Sequence, residues 1–224
     1  MAAKSAPPRP MTRLYLVTPM LGGLQAPMAN FAQLLAQADV AAVLVRLGTT
    51  DQPTMISTVK TLAPAIQDKG AALLLEGHAE LIARSGADGA HVSGLAALSD
   101  ALPTLKPHRI AGVGGLKTRH DSMTAGELGA DYVLFGEPDA SGQRPSLEAI
   151  IERLQWWDEL FEPPCVGFAG ALDEVEALAR AGADFVMAGD FIWTDPRGAA
   201  AALMEAGQAL RRAAASQKAG ADQG

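Results

Sequence analysis

The sequence predicts an α/β fold, a single-domain (β/α)8 TIM barrel, and three observations carry that expectation. A phrase recurs along the chain: Ser85-Gly86-Ala87-Asp88-Gly89-Ala90-His91-Val92 is echoed by Leu128-Gly129-Ala130-Asp131-Tyr132-Val133-Leu134-Phe135 and by Ala181-Gly182-Ala183-Asp184-Phe185-Val186-Met187-Ala188. Short apolar runs, the pattern of strands buried on both faces, alternate eight times with helical stretches. The length of 224 residues suits one barrel, a fold that runs to roughly 200–250 residues without a break.

The repeated phrase sets the register of the elements. In each copy a helical pattern stops at Gly, a short turn with Asp follows, and an apolar run begins; Gln37 replaces the Gly in a weaker fourth copy, Ala36-Gln37-Ala38-Asp39-Val40. Gly after a helix supplies the left-handed cap, and a short loop then feeds the next strand. The first strand is expected at 13–18 and the first helix at 28–37, followed by a strand at 41–46. Pro53 opens the helix 53–68, at a position where its missing N–H does no harm. Then come strand 71–75 with helix 79–85, strand 89–92 with helix 99–102, and strand 109–113 with helix 122–128. Strand 132–135 precedes the long helix 147–160, and strand 165–168 precedes helix 173–181, whose Asp173 and Glu174 suit the positive end of the helix dipole. Strand 185–188 and helix 198–213 close the series. Residues 1–12 are expected as a disordered arm, 13–213 as the barrel and 214–224 as a flexible tail. An open doubly wound sheet is the alternative, but the first turn reads Thr18-Pro19-Met20-Leu21-Gly22-Gly23 rather than Gly-x-Gly-x-x-Gly.

Composition narrows the function. Hydrophobic residues at 49% and charged ones at 19% build a real core. A net charge of −7 argues against nucleic acid or an anionic membrane as the partner. No apolar run reaches the ~18 residues of a membrane helix. The N-terminal stretch also lacks the apolar segment of a signal peptide. The single cysteine, Cys165, forms no internal disulfide and there is no Cys/His cluster for zinc, so a reducing, cytoplasmic location is expected.

In such barrels the chemistry sits at the C-terminal ends of the strands. That rule selects Thr18, Arg46, Glu76, His91 and Ser93 in the first half, and Lys117, Glu137, Asp139 and Asp190 in the second. Arg46 ends a buried strand in a permanent charge and needs an anion, either Glu76 across the mouth or a ligand group. Glu76 is a candidate general base, metal ligand or counter-ion to Arg46. The small residues Gly167, Ala169 and Gly170 after strand seven and Gly189 after strand eight allow backbone N–H groups to approach a phosphate, although the carboxylate of Asp190 opposes one. Lys117, Arg119 and His120 offer cationic donors. His120 and Asp121, as neighbours on a helix, do not face each other and make no triad. His91 reads as a satisfied interior imidazole, and His78 and His108 as solvent-facing. Of Trp156 and Trp157 one is expected in the core and the other at a subunit contact; Trp193 shields a ligand or packs on the last helix.

The opening Arg13-Leu14-Tyr15-Leu16-Val17-Thr18, the stretch Gly86-Ala87-Asp88-Gly89-Ala90-His91-Val92, Gly129-Ala130-Asp131-Tyr132 and Thr194-Asp195-Pro196 together resemble thiamine-phosphate synthase and the related TenI-like thiazole tautomerases. The resemblance runs from about Arg13 to Ala213 and implies a transferase that joins a pyrimidine pyrophosphate to a thiazole phosphate with Mg²⁺ assistance. It also implies small phosphorylated metabolites as ligands and a homodimer. It assigns Arg46, Glu76 and Lys117 to catalysis and the glycine-rich turns at Gly167, Ala169, Gly170 and Gly189 to phosphate. Several family positions differ: Leu44 and Gly48 flank Arg46 where Gln and Lys are expected, and Gly77 and Ala96 stand in place of the two metal-binding Asp residues. Glu76, Glu137 and Asp139 are the carboxylates left as candidate metal ligands. Three functions stay open: synthase-like transfer, a TenI-like isomerisation, and a non-catalytic barrel that binds a thiamine-related phosphorylated metabolite.

Overall fold

The computed structural model describes residues 10–22 and 30–221. In chain order the elements are β1 (Arg13–Val17), α1 (Phe31–Leu35), β2 (Val40–Val45), α2 (Gln52–Gln67), β3 (Ala72–Glu76), a 3₁₀ turn (Ala79–Leu81) running into α3 (Ile82–Ser85), β4 (Gly89–Ser93) and α4 (Gly94–Leu105). They continue with β5 (Ile110–Gly114), α5 (Arg119–Leu128), β6 (Tyr132–Phe135), α6 (Leu147–Leu160), β7 (Cys165–Ala169), α7 (Glu174–Arg180), β8 (Phe185–Ala188), α8 (Asp190–Thr194) and α9 (Ala199–Ala221). Among the described residues eight parallel strands pair in chain order and β8 returns to β1, closing the barrel that the sequence predicts.

The repeated phrase has a structural cause at both its Gly and its Asp. Gly86, Gly129 and Gly182 adopt φ of +83°, +96° and +101°, the left-handed turn that ends each preceding helix. The Asp two residues on forms a two-bonded clasp with the strand before. Asp88 donates its N–H to Leu73 O (2.8 Å) and accepts the Leu73 N–H on its carboxylate (2.7 Å). Asp131 does the same with Ala111 (2.8 and 2.7 Å), and Asp184 with Cys165 (2.9 and 2.8 Å). Each clasp ties the foot of an even strand to the odd strand beside it.

Alternate residues of the strands feed two separate cores. One parity packs outward against the helices, with Leu14, Leu16, Val43, Leu73, Leu75, Val133 and Val186 fully buried there. The other fills the barrel lumen with Tyr15, Val17, Leu44, Leu74, Tyr132, Leu134, Val166 and Met187. Gly112 makes room in this interior: a Cβ there would run into the Tyr132 ring.

Helix limits differ from expectation where local chemistry decides them. The α2 start matches, with Asp51 capping Thr54 N–H at 2.9 Å and Pro53 in the first turn. The helix expected over 99–102 is α4, which starts at Gly94, runs to Leu105 and carries Pro103 inside. The helix expected at 122 begins at Arg119, because Thr118 and Asp121 form a reciprocal capping box. The alanine-rich end of α9 carries it to Ala221, beyond the expected end at 213. Residues 28–29 of the helix expected over 28–37, and 1–9 of the expected arm, lie outside the described residues. Trp157 is the core tryptophan, its indole N–H donating to Pro163 O at 2.7 Å. Half-buried Trp156 lies under the Arg119 guanidinium, 4.9 Å from its carbon.

Candidate active site

The C-terminal ends of the strands open into a cavity of about 780 Å³. It brings together Arg46 from the end of β2, Glu76 from β3, His91 and Ser93 from β4, Glu137 beyond β6, and Gly189 and Asp190 beyond β8. Its floor is the top of the lumen core, including Leu44, Leu134, Phe168 and Met187. Strand-end placement therefore gathers most of the residues that the sequence singles out.

Arg46 is the single Lys or Arg side chain that lines this cavity among the described residues, and it is held on three sides. Its backbone N–H donates to Thr18 Oγ1 (3.1 Å), its Nε to Thr18 O (2.6 Å), and its Nη2 to Asp190 Oδ1 (2.8 Å). The counter-ion is thus Asp190 and not Glu76: although β3 adjoins β2, the Nε bond to Thr18 O draws the guanidinium over the end of β1, toward β8 and away from Glu76. Four more carboxyls, those of Glu76, Glu80, Asp100 and Glu137, line the same cavity. The mouth is acidic.

Below it runs a buried polar chain that sequence reasoning missed. Tyr15 and Tyr132 share a hydroxyl–hydroxyl bond of 2.8 Å, and His91 Nδ1 lies 2.9 Å from Tyr132 Oη. A donor count orients the chain. If Nδ1 carried the proton, Tyr132 would donate to Tyr15, whose own O–H would be left without an acceptor in an apolar lumen, at a cost of about 1–3 kcal/mol. In the other direction Tyr15 donates to Tyr132, Tyr132 donates to Nδ1, and His91 presents Nε2–H to the cavity. Burial drives the His91 pKa down to about 4, so the ring is neutral near pH 7. Burial pushes both phenols up. The signal in the sequence is the rarity of tyrosine: the chain has 2, and both point into the lumen.

Glu137 completes the floor. A Cβ on Gly114 would meet both Glu137 Oε1 and His91 Nε2, so these two groups flank one point. The carboxylate accepts the Gly115 N–H. Burial raises its pKa, an effect that the N–H partly offsets.

The remaining candidates fall elsewhere. Lys117 and Asp139 line a neighbouring cavity with Arg144 and Arg153. Gly167 and Ala169 share the outward parity of β7: a Cβ on Gly167 would meet Leu154 and Leu178 of the helical layer, and Ala169 is buried in that layer too. The side chain that β7 sends to the mouth is Phe168. Gly170 lies at the turn, but its N–H already donates to Glu174 Oε2 at 2.7 Å. Arg144 clasps that carboxylate at 2.9 and 3.0 Å and also donates to Phe168 O (3.0 Å) and Gly136 O (3.3 Å). Trp193 donates to Val17 O at 2.7 Å and stacks on Phe31.

Comparison with known proteins decides the family. The sequence model of the thiamine monophosphate synthase family matches residues 14–205. The thiamine-phosphate synthase of Rhodospirillum centenum is 35% identical over 207 residues, which span 89% of this chain and 98% of that protein. The chain belongs to the thiamine monophosphate synthase family. The Hyphomonas neptunium thiamine-phosphate synthase is 33% identical, covering 89% of this chain and 94% of its own length. The thiamine phosphate pyrophosphorylase of Pyrococcus furiosus shares the fold, with a TM-score of 0.72 at 17% identity over 90% of this chain and 96% of that one.

Magnesium, which the synthase resemblance implies, can be tested against the donors that this member of the thiamine monophosphate synthase family presents. Mg²⁺ is held by one or two free carboxylates together with phosphate oxygens in octahedral geometry. Among the described residues no group of three or more His, Cys, Asp or Glu could hold an ion. Asp190 is paired with Arg46, Glu137, its pKa raised by burial, accepts the Gly115 N–H, and Asp139 accepts from Ser141 N, Ser141 Oγ and Gln143 N. Gly77 and Ala96 offer no ligand at the two resemblance positions. Glu76 lines the mouth without an ion pair among the described residues, so a single carboxylate completed by ligand phosphate oxygens is the arrangement in which this chain would hold Mg²⁺.

Proposed function

We propose that this chain is a thiamine monophosphate synthase-family barrel that binds a positively charged thiamine-related heterocycle at its mouth and does not perform the pyrophosphate transfer. The observation that carries this reading is the acidic mouth: one guanidinium, already held by Asp190, faces four further carboxyls. A pyrophosphate leaving group needs cationic stabilisation of its developing charge, and preorganised charge of that kind is the largest part of most rate enhancements. A thiazolium or a protonated aminopyrimidine meets the opposite field. Glu76 supplies the counter-charge, and His91 Nε2–H donates to a ring nitrogen or hydroxyl. In this reading Glu76, Arg46 and Glu137 are binding groups. The resemblance to TenI-like tautomerases implies an acid–base histidine after strand five for the isomerase alternative, and this chain has Leu116 or Lys117 there. The lone buried Cys165 suits a reducing cytoplasm.

Synthase turnover is the second reading, favoured by relatives of that name at 33–35% identity. One assay separates the two. Purified protein is incubated at high concentration with hydroxymethylpyrimidine pyrophosphate, thiazole phosphate and Mg²⁺, and thiamine phosphate is measured. The expected result is no product, together with calorimetric binding of thiamine that Glu76→Gln weakens several-fold. Protein-dependent product formation establishes the second reading and overturns the first.

A further inference from the structure

The outward side of α5 and α6 carries apolar side chains that no other element covers. Among the described residues six large hydrophobic side chains are exposed, and three of them, Met123, Leu128 and Leu160, lie on or at the ends of these two neighbouring helices. Met11, Met20 and Met204 are scattered elsewhere along the chain. Half-buried Trp156 of α6 lies under the Arg119 guanidinium of α5, and Arg119 Nη2 bonds Glu152 of α6 at 2.8 Å, so the two helix surfaces are continuous. Met123 follows Arg119, and Leu160 follows Trp156, by four residues, which places each pair on one face a turn apart. Apolar patches with a polar rim mark protein contacts.

The order of charges around this patch identifies its partner. Arg119, Met123 and Glu127 stand at i, i+4 and i+8 on α5, so the cation lies about 6 Å above Met123 along the helix axis and the acid about 6 Å below it. A two-fold axis through Met123, perpendicular to the helix, therefore lays Arg119 over Glu127 of the partner subunit, and does so twice. The rim keeps the same order, with Lys117 and His120 at the upper end and Glu159 and Glu162 at the lower. The upper acids are already engaged, Glu152 by Arg119 and Asp121 by the Thr118 N–H. Glu127 and Glu159 form no ion pair among the described residues, and Arg119 gives Glu152 one of its five N–H donors. We propose that the α5–α6 face is a two-fold interface between two copies of this chain, with α5 antiparallel to the same helix of the partner, Met123 on the axis and Arg119 paired with the partner's Glu127. Self-complementarity is the requirement of such a contact, and a cation and an acid equally spaced about an apolar centre meet it. Two short helices make a small interface, so the dimer is reversible, with a Kd of about 1–50 µM. The proposal is independent of what the barrel mouth binds.

Sedimentation velocity on the full chain, from about 1 to about 500 µM, tests the interface. The wild type is expected to pass from monomer to dimer over that range. Arg119→Glu and Glu127→Arg, with folding checked by circular dichroism, should each weaken dimerisation by about ten-fold or more, because each sets like charges together at both contacts. An equimolar mixture of the two variants restores opposite charges at both contacts and should dimerise like the wild type. Met123→Cys supplies a readout free of charge changes: it should cross-link to its own copy under mild oxidation, whereas Ser57→Cys, exposed on α2, should not. The native Cys165 is buried and does not compete. A wild type that stays monomeric throughout overturns the proposal and leaves the face to a different protein. Dimers that neither charge variant weakens, or variants that stay monomeric when mixed, overturn it as well.

Discussion

His91 shows how one residue's environment sets both its chemistry and its effect on stability. Unfolded, a histidine titrates near 6.5; folded, burial holds this one to about 4. Between those values the unfolded chain binds a proton that the folded chain refuses. Stability therefore falls as pH drops from about 6.5 to about 4, by about 3 kcal/mol in all. Glu137 works in the other sense. Its raised pKa means that the folded state holds the proton more tightly, so its contribution grows as pH falls and fades as pH rises through the folded value. Urea denaturation between pH 7 and pH 4.5 reads these two groups by comparing variants with the wild type, because exposed carboxyls with depressed pKa values, Glu148 and Glu176 among them, take the same stability from every variant as the pH falls. The wild type should lose stability over that interval, His91→Asn should flatten the loss, and Glu137→Gln should steepen it. An unchanged slope in His91→Asn would sink this account of the lumen. The sequence shows His91 as an interior imidazole, and it is one. What pairing would orient it is not legible there, because Tyr132 is 41 residues away and Tyr15 is 117 residues beyond Tyr132 in the opposite direction along the chain.

The element scale explains why the phrase Gly-Ala-Asp repeats. Its Gly ends a helix with positive φ, and its Asp carries the two-bonded clasp to the strand before, so each copy is a hinge and a fastener in three residues. The hinge was legible because glycine is nearly alone in adopting that conformation. The fastener was not, because an acceptor's partner lies some 15–20 residues back. Asp131 tests the fastener, since it accepts the buried Ala111 N–H and also meets Lys106 Nζ at 2.6 Å. Asp131→Ala is expected to lower stability by about 1–3 kcal/mol, as the loss of a charge-assisted bond to a buried amide should. Asp131→Asn, which keeps an acceptor, should recover about half. Equal denaturation midpoints for the two variants would make the clasp incidental. The same scale separates side chain from backbone at β7: Gly167 and Ala169 share the outward parity, so their Cβ positions belong to the helical layer and only their backbone N–H groups are offered to a phosphate.

At the scale of the whole barrel, closure depends on the lumen being filled without being overfilled, and two glycines that look alike in sequence answer to opposite demands. Gly112 lies on β5 across from Tyr132, and a Cβ there would occupy the space of the phenol ring itself. Gly126 lies inside α5, and a Cβ there would touch Trp157 at 3.6 Å and Pro163 at 3.8 Å, ordinary contact distances. Gly112→Ala must therefore push Tyr132 aside, breaking the bonds to Tyr15 and His91 together. Overpacking of this kind costs about 1–3 kcal/mol before any lost hydrogen bond is added. Gly126→Ala gains helix propensity of about 0.5–1 kcal/mol with no such conflict. Thermal melting should thus move down for the first and up for the second. Gly112→Ala should in addition lose the His91-dependent fall in stability below pH 6.5, because a displaced Tyr132 opens the imidazole to water and returns its pKa toward the ordinary value. If Gly112→Ala melts like the wild type and keeps its pH profile, the lumen has slack. A hydrogen-bonded chain in a slack lumen could not fix which nitrogen His91 offers to a ligand at the mouth.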